Sequence, residues 1–270
     1  MSFTVIKGIL AAKVAYDAIA NFLAFWNSDE WIIDQFKAVP VTKEQEPELC
    51  GIVEQLAQKA GVPTPRVFVY ADDFPNACAT GRDAEHAAIV VTTALKNTAD
   101  FSETQLDHEE LEGILAHEMS HIKNKDVMVN TAAAFIAGAL TSLVPIGVLS
   151  AKDVDAKSNR DKSLIGTGAV LGTALLAEIM QMAVSKQREY NADESAGYLT
   201  GKPDALAEAL EKIDRVGKGL VTGGANETNS HLFTINPFGK EVEEMFSTHP
   251  SIEDRVARLR QQALALGRSI

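Results

Sequence analysis

Cysteine is nearly absent from this chain of 270 residues. Cys50 and Cys78 are its only two, too few for a disulfide framework and not spaced as metal ligands. They read as ordinary thiols of a reducing compartment. Aromatic residues are sparse as well, at 6%, and no basic stripe interleaves with them. A formal net charge of −12 would repel a phosphate backbone, so nucleic acid is excluded as a partner. Internal repeats and low-complexity tails are lacking. No cleavable signal stands out, because Lys7, Lys13 and Asp17 interrupt the first apolar stretch.

The length suffices for one large domain or two small ones with a real core. Lys13, Asp17 and Asn21 form a polar stripe on a predicted helix, with Ile6, Ile9, Leu10, Ile19, Phe22 and Leu23 around its other faces. Such a helix can pack in a core or lie on a membrane surface. A capping pattern at Thr42, Gln45 and Glu46 precedes a helix through Leu49, Ile52, Val53 and Leu56, which stops near Gly61-Val62-Pro63. Arg66–Tyr70 and Ala87–Thr93 read as short strands, rich in β-branched residues. Asp72 to Arg82, between them, reads as a loop. An edge strand at Ile89, Val90 and Val91 could pair with an extended peptide.

The richest chemistry lies in His117-Glu118-Met119-Ser120-His121. A helix turns 100° per residue, so the two histidines stand one above the other and can grip one metal ion. Zinc suits them best, since it accepts nitrogen ligands and can keep one position open for water. Glu118 is placed to take a proton from that water. Glu109, Glu110 and Glu112 crowd the helix start, where the dipole favours negative charge, and Leu111, Ile114, Leu115 and Ile122 supply an apolar face.

Beyond this helix the chain turns apolar. Val127 to Ala151 carries no charge, and after a short charged loop neither does Ser163 to Ala177. The first run is long enough to cross a hydrocarbon core, Glu178 interrupts the second before it continues to Val184, and together they read as a helical hairpin. The hairpin can span a bilayer, pack inside a protein or form an oligomer contact. Lys152, Lys157, Arg160 and Lys162 in its loop run against the positive-inside rule if the metal faces the cytoplasm. Next come Glu189 and Asp193, four residues apart on one helical face. Glu189 could complete the metal site while Asp193 accepts the free ring N–H of His117. Glu178, a carboxylate in an apolar run, is a rival ligand. A helix over 205–213, a Gly/Asn-rich loop over 217–230, an apolar segment over 232–238 and a last helix opened by Ser247-Thr248-His249-Pro250-Ser251 complete the chain.

At this point the chain resembles HtpX-type zinc metallopeptidases, relatives of the CAAX prenyl endopeptidases. The resemblance rests on His117-Glu118-Met119-Ser120-His121, the apolar hairpin, Arg188-Glu189-Tyr190-Asn191-Ala192-Asp193, Ser247-Thr248-His249-Pro250 and Pro75-Asn76-Ala77-Cys78-Ala79-Thr80-Gly81. Val39-Pro40-Val41-Thr42 and Asn236-Pro237-Phe238 fit as well, and the likeness runs from about residue 37 to the end. It implies zinc held by His117, His121 and Glu189, with Glu118 as base and Asp193 behind the ligands. His249 and Arg255 would hold the reacting carbonyl, and Asn76 the substrate backbone. It also implies a bacterial inner-membrane protease facing the cytoplasm, cleaving misfolded or membrane polypeptides, with oligomers possible. Family members usually carry two membrane helices before the soluble part, where this sequence has room for one complete helix.

The expected fold is therefore α+β and mainly helical: a zincin-like protease with a small antiparallel or mixed sheet before the metal helix and an inserted apolar hairpin. Residues 1–36 would form an amphipathic, membrane-associated helix, 37–126 with 186–270 the protease domain, and 127–185 the hairpin. The competing readings are a non-catalytic membrane adaptor with a structural metal site, which would have no need of Glu118, and a zinc hydrolase of small amides.

Overall fold

The computed structural model describes residues 26–96, 106–129, 186–217 and 250–268, with a few positions between 12 and 23. By internal contact the chain divides into two compact units, Met1–Ser28 with Val129–Ala183 and Asp29–Met128 with Val184–Ile270. The second holds the sheet and the site. Nearly all of the expected hairpin lies outside the described residues, as do Glu178, the stretch 218–238 and His249. Among the described residues no helix is long and apolar enough to cross a membrane.

Helix α1 (Ser28–Phe36) leads into β1 (Val39–Pro40), and α2 (Pro47–Ala60) into β2 (Arg66–Tyr70). The capping pattern at Thr42 makes a separate turn, Gln45 Oε1 accepting from the Thr42 N–H at 2.9 Å, and α2 begins later with Pro47 in its first turn. Pro needs no N–H partner there. Gly61 ends α2 in the left-handed region, φ 72°, which a Cβ would oppose.

The sheet is mixed, in the order β1-β2-β4-β3, with β4 at Ala88–Thr92. β2 and β4 run parallel, and β3 pairs antiparallel with β4. Two expectations change here. The 72–82 stretch is not all loop, because Ala77–Thr80 forms β3. Ile89, Val90 and Val91 are not an edge: β4 is flanked by β2 and β3, and all three residues are fully buried. The edge facing the metal helix is β3. Both faces of the sheet are covered, so its strands read as unbroken apolar runs. Val67, Val69, Ile89 and Val91 face the core built with α2 and the metal helix, whereas Phe68, Tyr70 and Val90 join Ile33 and Phe36.

The metal helix, α4 (His108–Lys123), follows the short α3 (Thr93–Lys96). Asp107 caps it: the Glu110 N–H donates to Asp107 Oδ1 at 2.9 Å and the Asp107 N–H to Glu110 Oε2 at 2.7 Å. Such a reciprocal cap is worth about 1 kcal/mol. It is packed nearly all round, with Ile114, Leu115 and Met119 fully buried. Helices α5 (Lys186–Thr200), α6 (Pro203–Gly217) and α7 (Ile252–Ala265) close over it. Gly113 permits the close approach of α6, since a Cβ there would sit 3.0 Å from Leu206 Cα.

Candidate active site

The i, i+4 spacing of α4 brings the two imidazoles together, Nε2 to Nε2, at 3.1 Å. From α5, Glu189 reaches both: its carboxylate lies 3.6 Å from His117 Nε2 and 3.5 Å from His121 Nε2. A tetrahedral ion with bonds of about 2.0–2.2 Å sets its ligand atoms about 3.3–3.6 Å apart. The separations of 3.5 and 3.6 Å, which run to the two different oxygens of Glu189, match that spacing, and the 3.1 Å between the imidazoles is slightly shorter.

The opposite ring nitrogens decide what the Nε2 atoms can offer. His117 Nδ1 lies 2.8 Å from Asp193 Oδ1, and His121 Nδ1 lies 3.0 Å from Asp126 Oδ2. A carboxylate accepts only, so each Nδ1 carries a hydrogen and each Nε2 faces inward. Two Nε2 atoms and a carboxylate at these distances repel unless a proton or a metal cation lies between them. The residues present fit a metal ion.

Asp193 is itself held from behind. Arg255, on α7, is fully buried, and donates from Nε to Asp193 Oδ2 at 2.8 Å and from Nη2 to Oδ1 at 2.7 Å. Burial alone would raise the Asp193 carboxyl, but the Arg255 guanidinium outweighs it and holds the group below the ordinary carboxylate range. For His117, burial opposes a positive charge, yet hydrogen bonding to Asp193 and Glu189 prevails and pushes its pKa up to about 10. Arg255, expected at the reacting carbonyl, is thus engaged with Asp193 on the far side of His117.

Glu118 faces the sheet. Its Oε2 accepts from the Ala79 N–H of β3 at 2.8 Å. Burial pushes its carboxyl above the usual range, Glu189 adds to this, and the two imidazoles oppose it. A buried carboxyl shifted upward in this way is the kind of group that general acid–base catalysis uses. Asn76 sits at the foot of β3, 1% exposed, its backbone N–H bonded to Thr92 Oγ1.

Asp126 went unremarked in the sequence. Five residues beyond His121 it would point about 140° away on a continuing helix. Lys125 adopts the left-handed conformation, φ 64°, and turns the chain back so that Asp126 meets the ring. The signal was the acidic residue just past the helix end, unreadable without that turn.

A metal site that served structure alone would have no use for a buried glutamate poised beside its ligands, so the centre is that of a metal-dependent peptidase. Comparison agrees with this class. Residues 43–263 match Peptidase family M48. The chain is 41% identical to a Protease HtpX homolog of Pyrococcus furiosus, covering 92% of this chain and 84% of that one. It is 40% identical to the Acidiphilium cryptum homolog, covering 94% and 87%. The chain belongs to peptidase family M48 and is a metalloendopeptidase. Its fold is similar to the crystal structure of S. mikatae Ste24p, with TM-score 0.53 and 20% identity over 93% of this chain and 58% of that one.

Proposed function

We propose that the protein is a zinc-dependent, membrane-associated endopeptidase, with His117, His121 and Glu189 as ligands and Glu118 as general base. The observation that carries this is the convergence of three lone-pair donors, each imidazole backed by an aspartate. Zinc accepts two nitrogens and an oxygen in a tetrahedron and leaves a fourth position open. When bound, the ion supplies Lewis acidity, acidifying water and polarising a peptide carbonyl. Glu118 takes the proton of the attacking water and returns it to the leaving amine. Asp193 and Asp126 keep both rings in the ligating tautomer. An extended polypeptide pairs with the β3 edge beside Glu118. From the family resemblance, His249 helps hold the reacting carbonyl. Arg255 contributes through Asp193.

Membrane association is supported by a run of exposed apolar side chains at helical spacing. Tyr16 is 72% exposed, Ile19 61%, Phe22 49%, Leu23 53% and Trp26 48%. Apolar and aromatic residues on one helix face suit the bilayer interface. The proposed substrates are misfolded or membrane polypeptides, cut on the cytoplasmic side. The test is casein cleavage by the full chain, with zinc content assayed beside it, for wild type and Glu118→Gln. The expected result is zinc in both and cleavage in wild type only. Equal cleavage by Glu118→Gln would overturn the base.

A further inference from the structure

We infer that Asp126 is a positioning residue for the metal centre, holding His121 as Asp193 holds His117, and that Arg188 in turn holds Asp126. The inference deepens the zinc reading above and rests on it. Asp126 is 6% exposed, and its Oδ2 lies 3.0 Å from His121 Nδ1. Its other oxygen faces Arg188 Nε at 4.0 Å. The centre thus has two chains of the same order, Arg255–Asp193–His117 and Arg188–Asp126–His121.

The two chains differ in tightness. Arg255 grips Asp193 through two hydrogen bonds in a fully buried pocket. Arg188 meets Asp126 at the outer limit of an ion pair, 4.0 Å, and the His121 side chain keeps 15% exposure against 1% for His117. Asp126 lies three residues past the end of α4, just before 127–185, and Arg188 lies in the first turn of α5. The Arg188–Asp126 pair therefore closes the chain across that segment directly at a ligand. His121 is the ligand oriented by the residues flanking that segment on both sides, Asp126 before it and Arg188 after it, whereas His117 is oriented by Asp193 farther along α5, itself gripped by Arg255 of α7.

A carboxylate behind a ligating imidazole fixes the tautomer and ring plane, and its loss typically weakens metal binding roughly 10–100-fold. The experiment is zinc titration of the full chain against a chromophoric chelator, with kcat and KM on casein measured in parallel. Asp126→Ala should weaken zinc binding by roughly 10–100-fold and lower kcat at zinc saturation with KM little changed. Asp126→Asn, the same shape with an acceptor but no charge, should fall between and keep the wild-type melting temperature. Arg188→Gln should weaken zinc by less, and add little when combined with Asp126→Ala. Wild-type zinc affinity in both Asp126 variants would overturn the inference, as would a drop in melting temperature with affinity intact. An Arg188→Gln effect undiminished in the Asp126→Ala background would remove Arg188 from it. Wild-type affinity in His121→Ala would instead overturn the ligand assignment, and this inference with it.

Discussion

Replacing Arg255 by Met should destabilise the protein in a way that a second substitution partly repairs. The guanidinium is fully buried and makes two hydrogen bonds to Asp193, which is itself 3% exposed. Arg255→Met strands the Asp193 charge with His117 as its remaining partner. Breaking one side of a buried pair costs about 3–5 kcal/mol. At roughly 2–4 °C per kcal/mol for a unit of this size, the midpoint should fall by about 10 °C. Adding Asp193→Asn removes the stranded charge while keeping its shape and an acceptor for the His117 N–H. That second change should recover roughly 1–3 kcal/mol, so the double variant melts above the single one. Asp193→Asn alone should instead destabilise, because it removes the carboxylate charge that the buried Arg255 guanidinium faces. Thermal unfolding of the four proteins, followed by circular dichroism, reads the sign directly. Additive losses, or an Arg255→Met midpoint within about 2 °C of wild type, would refute the reasoning, since Asp193 would then not depend on Arg255 for its charge.

Gly113→Leu should cost at least the roughly 1–3 kcal/mol typical of overpacking, because even a Cβ there meets Leu206 Cα at 3.0 Å; urea unfolding checks it. Cys50 and Cys78 are both buried, and burial pushes both thiols above the ordinary range. Iodoacetamide at pH 8 should modify neither in the native protein and both after denaturation, read by intact mass. Zinc binding should weaken as pH falls. Hydrogen bonding raises His117 to about 10, so across neutral pH a proton occupies the site that the metal needs, and each unit down should cost close to tenfold for each proton displaced. Calorimetric titration in buffers of different ionisation enthalpy counts those protons, and a count of zero would contradict the raised pKa.

What the sequence could reveal followed from period and spacing. His117 and His121 sit four apart on a helix, Glu189 and Asp193 likewise, and the structure brings these four side chains to one place. Helical spacing is the one geometry a sequence states outright. β3 escaped notice because Ala77-Cys78-Ala79-Thr80 carries small side chains and almost no β-branching. That same smallness lets Glu118 reach the Ala79 N–H at 2.8 Å. The strand at 87–93 was legible, but its rank in the sheet was not, because whether a strand lies at an edge depends on β3. Asp126 escaped for the opposite reason: its contact depends on a left-handed Lys125, which nothing in the residue's chemistry demands. Arg255 could be located but not aimed, since Asp193 lies 62 residues away in sequence.

The charges around the site bear on why its groups titrate as they do. Four carboxylates, of Glu118, Glu189, Asp193 and Asp126, meet two guanidiniums, of Arg188 and Arg255. Among these six described groups two more charges are negative than positive, in a largely buried volume where charge imbalance is costly. A divalent cation is the simplest group that balances them. Both His117 and Glu118 are shifted toward holding a proton, Glu118 chiefly by burial with Glu189 adding to it, His117, against its burial, by its hydrogen bonds to Asp193 and Glu189. A proton on His117 Nε2 would occupy an atom of the proposed metal site, and one on Glu118 would occupy the proposed base. A cation among the proposed ligands disfavours both at once, which favours a bare His117 Nε2 and an ionised Glu118. The charge balance that selects a divalent ion is therefore the same one that puts Glu118 in the form able to accept a proton, and the two aspartates behind the histidines contribute to both.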